Sequence, residues 1–135
     1  MVQKIFLAFL PPIVLFTFHV CAIYLFNIYR RIPNFDMPMH IGGGVAIALT
    51  TLLVYRVLRE ENILRERLVP WLLVFLTVSV VVFVAVGWEF AEFLADTYLG
   101  TVMQAGLADT MGDLFLGMCG GGATAAVFWR VVEQK

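Results

Sequence analysis

The stretch "PWLLVFLTVSVVVFVAVGWEFAEFLAD", Pro70–Asp96, carries no charge from Pro70 through Trp88 and then three carboxylates, Glu89, Glu92 and Asp96. A helix needs about 20 apolar residues to cross a bilayer, and this run supplies them. Backbone in lipid is satisfied only within helices or closed barrels. The run is continuous rather than alternating, which favours a helix over a strand.

Working outward, three further apolar segments have similar length. The four expected spans are about 5–29, 37–58, 68–95 and 113–132. They form one domain, residues 1–135. The composition agrees: 61% of residues are hydrophobic and 14% charged, far too little polar surface for a small soluble domain. The fold class expected is all-α, a polytopic membrane protein built as a four-transmembrane-helix bundle. The first segment is longer than the core of a signal peptide, contains Pro11-Pro12 and lacks a small-residue cleavage site, so it reads as a retained helix.

Lysine and arginine set the expected orientation. Of the nine, Lys4, Arg56, Arg59, Arg65, Arg67, Arg130 and Lys135 fall on one side and Arg30 and Arg31 on the other. Both termini and the "YRVLREENILRER" loop, residues 55–67, are therefore expected in the cytoplasm. No basic stripe suits nucleic acid. Cys21 and Cys119 lie in apolar segments without metal or disulfide spacing and read as buried thiols.

This topology gathers six of the ten carboxylates at one end of the bundle. Asp36 opens the second span, Glu89, Glu92 and Asp96 close the third, and Asp109 and Asp113 open the fourth. Spacings of three, four and seven put Glu89, Glu92 and Asp96 on one helix face, and likewise Asp109 with Asp113 and Asp36 with His40. Glycines continue two of these faces inward: Gly43 and Gly44 after His40, Gly117 and Gly121 after Asp113. Small residues allow close helix approach in membranes, so the polar pairs are expected to converge.

Six carboxylates with Arg30 and Arg31 as countercharges require protons or cations. Carboxylate with histidine suits a divalent metal ion: zinc, manganese or iron, and less well magnesium or calcium. The ligands expected are His40, Glu89, Glu92, Asp109 and Asp113, with Asp36 or Asp96 as a catalytic general base. Capping is an alternative account of Asp36 and Asp109, with Asp113 favoured by the helix dipole. It does not account for Glu89, Glu92 and Asp96 at a helix C-terminus, where the dipole opposes negative charge; interfacial solvation is their bland explanation. Arg30 and Arg31 suit either snorkelling to the interface or holding a substrate phosphate. His19 suits either a further ligand or a backbone-bonded ring. Trp71, Trp88, Trp129, Tyr29 and Tyr98 read as belt aromatics, and "GMCGGG", residues 117–122, as packing.

Together, "FDMPMHIGGG" (35–44), "WEFAEFLAD" (88–96) and "GLADTMGDLFLGMCGG" (106–121) resemble the YjdF-like family of bacterial inner-membrane proteins and, more distantly, the VanZ-like membrane proteins linked to glycopeptide resistance. The matching positions are Asp36 and His40, Glu89 and Glu92, and Asp109 and Asp113. The first span carries no matching motif. The resemblance implies an inner-membrane location and a polar site facing outside. Larger relatives have extra helices, which makes a homo-oligomer an expected form. Three functions fit: a metal-dependent hydrolase acting on a membrane lipid or a lipid-linked or phosphorylated envelope substrate, a cation or proton-coupled transporter, and a scaffold with a structural metal.

Overall fold

The computed structural model describes residues 1–133, apart from the side chains of Tyr29 and Glu133. Lys135 and the Tyr29 ring, both used in the readings above, lie outside the described residues. Six helices follow in order: α1 (Val2–Ala8), α2 (Leu10–Phe26), α3 (Ile28–Arg31), α4 (Asp36–Glu60), α5 (Pro70–Leu99) and α6 (Leu107–Glu133). Among the described residues there is no strand. Helices α4, α5 and α6 are each long and apolar enough to cross a membrane, and α1 with α2 makes a fourth span only as a bent pair.

The bend is 43°, and it corrects the single first helix of 5–29. Pro11 and Pro12 offer no N–H to the preceding turn, and a residue before proline resists helical geometry. The chain breaks at Phe9 and restarts with proline in the first turn of α2. Asn27, in the left-handed region with φ 48°, ends α2 before Tyr29.

The later helices outrun their apolar windows. Helix α5 continues to Leu99 and stops at Gly100, whose φ of 67° suits glycine. With 30 residues it is about 45 Å long, more than the roughly 30 Å hydrocarbon core. Glu89 and Glu92 therefore sit about two to three turns inside the helix. The helix-end dipole reaches only the last turn, so it bears on Asp96 alone. Helix α6 starts at Leu107 rather than near Asp113, which puts Asp109 in its first turn.

Helix α4 is central and packs against α1, α2, α5 and α6. Its contact with α6 is backbone on backbone. A Cβ on Gly44 would fall on the carbonyl oxygen of Gly117, and one on Gly120 would fall on the carbonyl oxygen of Ile41. A Cβ on Gly121 would lie 2.7 Å from Val81 of α5. Gly43 and Gly122 meet nothing within 4 Å, so only part of each glycine run serves packing. Buried threonines cost little here, because Thr50, Thr77 and Thr124 donate to carbonyls one turn earlier. Large apolar side chains such as Phe75, Phe83 and Phe90 point outward, as a lipid-facing surface requires.

At the end of the bundle away from the acid cluster, Leu52, Tyr55 and Leu73 form a core with Leu64, Leu68, Trp129 and Val132 around it. Lys4 pairs with Glu60 at 3.1 Å and Glu61 at 3.0 Å, and the N-terminal amine reaches Glu61 at 3.6 Å. Lys4 and the terminal amine hold the Glu61 carboxyl below its usual range. Arg59 donates to the carbonyls of Leu64 and Arg65 and closes the α4–α5 loop. Cys119 faces outward on the apolar α6, while Cys21 is half-buried.

Candidate metal centre

Helix α4 opens with Asp36 and tolerates Pro38, because first-turn N–H groups lack partners anyway. One turn later His40 lies on the same face, its Nε2 3.4 Å from Asp36 Oδ2. The close crossing with α6 brings Asp113 Oδ1 to 3.8 Å from the same nitrogen. Helix α5 brings Glu89 Oε1 to 4.0 Å from His40 Nδ1. Glu92 follows one turn along α5. Glu89, Glu92 and Asp113 are 6%, 6% and 4% exposed.

Two groups of three result, Asp36–His40–Asp113 and His40–Glu89–Glu92, each offering one ligand atom per residue within 4.8 Å of the others. His40 belongs to both. Ligand atoms at about 2.1 Å around a tetrahedral ion are about 3.4 Å apart. The Nε2 distances of 3.4 and 3.8 Å sit near that spacing. The Nδ1 side is wider by a few tenths of an ångström, within reach of a side-chain rotation.

Glu89 is the exceptional member. Gln104 Nε2 donates to its Oε2 at 3.0 Å and to its backbone carbonyl at 3.0 Å. Its Oε1 is fully buried with no hydrogen-bond partner among the described residues, since His40 Nδ1 at 4.0 Å is beyond bonding range. A buried oxygen left unpaired costs about 1–3 kcal/mol or more, and it lies inside the His40 group. Glu92 Oε1 accepts a 2.7 Å bond from Trp88 Nε1. Four carboxylates thus surround one imidazole, and even imidazolium would balance only one of them.

Other expected site residues lie apart from both groups. Asp96 is bound into the α5–α6 loop: Thr101 and the Met103 N–H donate to Oδ1 at 2.6 and 2.8 Å, and the Gln104 N–H to Oδ2 at 2.9 Å. Asp109 reaches back to accept the Ala105 N–H at 3.0 Å, a first-turn capping contact. Arg30 and Arg31 are exposed on α3, and no ion pair joins them to the cluster among the described residues. His19 is buried and stands edge-on to Trp88, ring centres 5.9 Å apart.

Two participants escaped the sequence reading. Trp88, taken as a belt residue, is the donor that fixes Glu92; their four-residue spacing was the available signal. Gln104 lies in the α5–α6 loop, fifteen residues from Glu89, and no local pattern announces it.

A family of predicted membrane proteins, DUF2238, matches residues 4–134. The chain belongs to this family, and the YjdF-like resemblance holds. The match includes the first span, which carried no recognisable motif. No curated protein and no solved structure shows a significant match.

Proposed function

We propose that His40 is the hub of a divalent-metal site, with Asp36 and Asp113 on one side of its ring and Glu89 and Glu92 on the other, holding one or two ions. The observation that carries this reading is the buried, unpartnered Glu89 Oε1 beside a histidine ringed by carboxylates. A cation there would satisfy that oxygen and offset the buried charge. The mixed donor set suits zinc, manganese or iron best.

The chemistry proposed is hydrolysis of a lipid or lipid-linked envelope substrate, with the metal polarising an acyl or phosphoryl oxygen and activating water. With a single ion on the Nδ1 side, held by His40, Glu89 and Glu92, Asp36 would act as the general base. Asp96 fits that role less well, because both of its oxygens already accept loop hydrogen bonds. Arg30 and Arg31, between α2 and α4 and so at the same end, suit a headgroup phosphate. The site is proposed to face outside in the bacterial inner membrane with both termini cytoplasmic. Support comes from Lys4, Arg56, Arg59, Arg65, Arg67 and Arg130, which sit at the opposite ends of the spans.

A structural metal is the second reading, favoured because the ligands come from α4, α5 and α6, so that an ion would also pin three helices. A transport path has less support: no charged residue interrupts α4 between His40 and Arg56, α5 before Glu89, or α6 between Asp113 and Arg130. The test compares metal content and phospholipid hydrolysis in the wild type and in a Glu89→Gln/Glu92→Gln variant. The enzyme reading predicts that both fall in the variant. Metal bound without turnover of any lipid supports the structural reading.

A further inference from the structure

A cavity of about 540 Å³ lies between α2 and the adjoining faces of α4 and α5. That size is typical of ligand sites. Its walls are almost wholly apolar, and its polar groups are graded along α4. His19, Asp36, His40 and Trp88 line one end; Ile47, Val81, Phe9 and Pro12 line the other. Thr17 also borders it, but its hydroxyl donates to the carbonyl of Ile13.

From Asp36 to Ile47 the cavity follows twelve residues of α4, a rise of about 16 Å. Half of the roughly 30 Å hydrocarbon core is about 15 Å. The cavity therefore has the depth of one leaflet, with its polar end at the acid cluster. Gly43 leaves its middle open, since a Cβ there meets nothing within 4 Å. Trp88 is shared: it lines the cavity and bonds Glu92.

Charge narrows the occupant. Four carboxylates repel an anionic headgroup; one divalent ion would halve that charge and Arg30 and Arg31 at the same end would balance the rest, so only a metal-loaded cluster accepts a phosphate. We infer that the cavity holds one hydrocarbon chain of a phospholipid, whose phosphate lies against the metal-loaded His40 cluster. This inference rests on the metal-site reading and specifies its substrate class. The chain fills space that the protein's side chains leave empty and thereby sets the headgroup's position over the site.

The test uses the full chain purified in detergent, with Mn²⁺ and phosphatidylglycerol. Bound lipid is counted by native mass spectrometry, metal by elemental analysis and folding by thermal melting. Gly43→Phe and Ile47→Phe fill the cavity at two places. Val127→Phe places the same side chain on the exposed face of α6. The expected result is one retained lipid in the wild type and in Val127→Phe. Retention falls about tenfold or more in either filled variant, the equivalent of losing roughly two buried methylenes or more, while metal content and melting are unchanged. Chelation with EDTA releases the lipid. If a folded, metal-loaded Gly43→Phe or Ile47→Phe retains lipid as Val127→Phe does, the inference is overturned and the metal site stands. A wild type that carries no metal overturns both, and the elemental measurement alone reveals it.

Discussion

Gly44→Ala adds one methyl group where α4 meets α6, one helical turn from His40 and level with Gly117, one turn from Asp113. The new Cβ would fall on the Gly117 carbonyl oxygen, 2.8 Å from the Gly117 carbon and 2.9 Å from the Gly121 nitrogen. Carbon contacts settle at about 3.5–4.0 Å, so the helices must part by about 0.7 Å or more. Helix propensity alone would make alanine about 1 kcal/mol more stable than glycine. Overpacking costs about 1–3 kcal/mol, and here the obstacle is backbone, which no rotamer change relieves. The net expectation is a destabilisation of about 0–2 kcal/mol, toward the upper end because backbone is the obstacle. The His40–Asp113 distance of 3.8 Å would widen with the crossing, and metal affinity would drop by about tenfold. Gly43→Ala is the control, because its Cβ meets nothing; it should match or exceed the wild type. Thermal unfolding in detergent and Mn²⁺ titration read both effects. If Gly44→Ala melts with Gly43→Ala and binds metal equally well, backbone contact does not set the site's spacing.

Trp88→Phe removes the donor to Glu92 and is expected to weaken metal binding by about 10–100-fold while the helices stay folded, as read by metal titration and circular dichroism. Asp96→Ala frees the amides of Met103 and Gln104; faster hydrogen exchange at those two positions with unchanged metal content is expected, and loss of metal would return Asp96 to the site. Lys4 and the terminal amine lower the Glu61 carboxyl from its ordinary value of 4.5. That contribution is present above pH 4.5 and lost as pH falls through the lower folded value. Lys4→Ala should therefore lower stability slightly above pH 4.5 and leave it unchanged below the folded value, so that the acid limb is flatter.

The spans were legible because apolar runs of bilayer length admit few structures, and the acid cluster was legible because topology and helical spacing act together. His40, Glu89, Glu92 and Asp113 meet as those two rules require. Helix ends were less legible. Thr97, Tyr98 and Leu99 continue α5 past Asp96, and the mixed stretch 107–112 starts α6 before Asp113, where no apolar run marks the boundary. The dipole argument for Glu89 and Glu92 fell with that boundary, and burial beside His40 replaced it. Asp96 and Asp109 have the residue type of ligands but are bound to loop amides, a choice made by loop geometry that sequence spacing does not encode. Pro11-Pro12 was the available signal for the break in the first span, which the expectation of one continuous helix over 5–29 did not use. Gly43 and Gly44 look alike in sequence, yet one faces a cavity and the other a backbone carbonyl.

The central claim concerns His40, the residue common to both groups of ligands. Elemental analysis of the wild type, His40→Ala and Glu89→Gln/Glu92→Gln, each purified after manganese or zinc loading, tests it most directly. A near-stoichiometric ion in the wild type, essentially none in His40→Ala and a reduced content in the double variant are predicted. A wild type without metal, or a His40→Ala protein that keeps its full complement, would contradict the account.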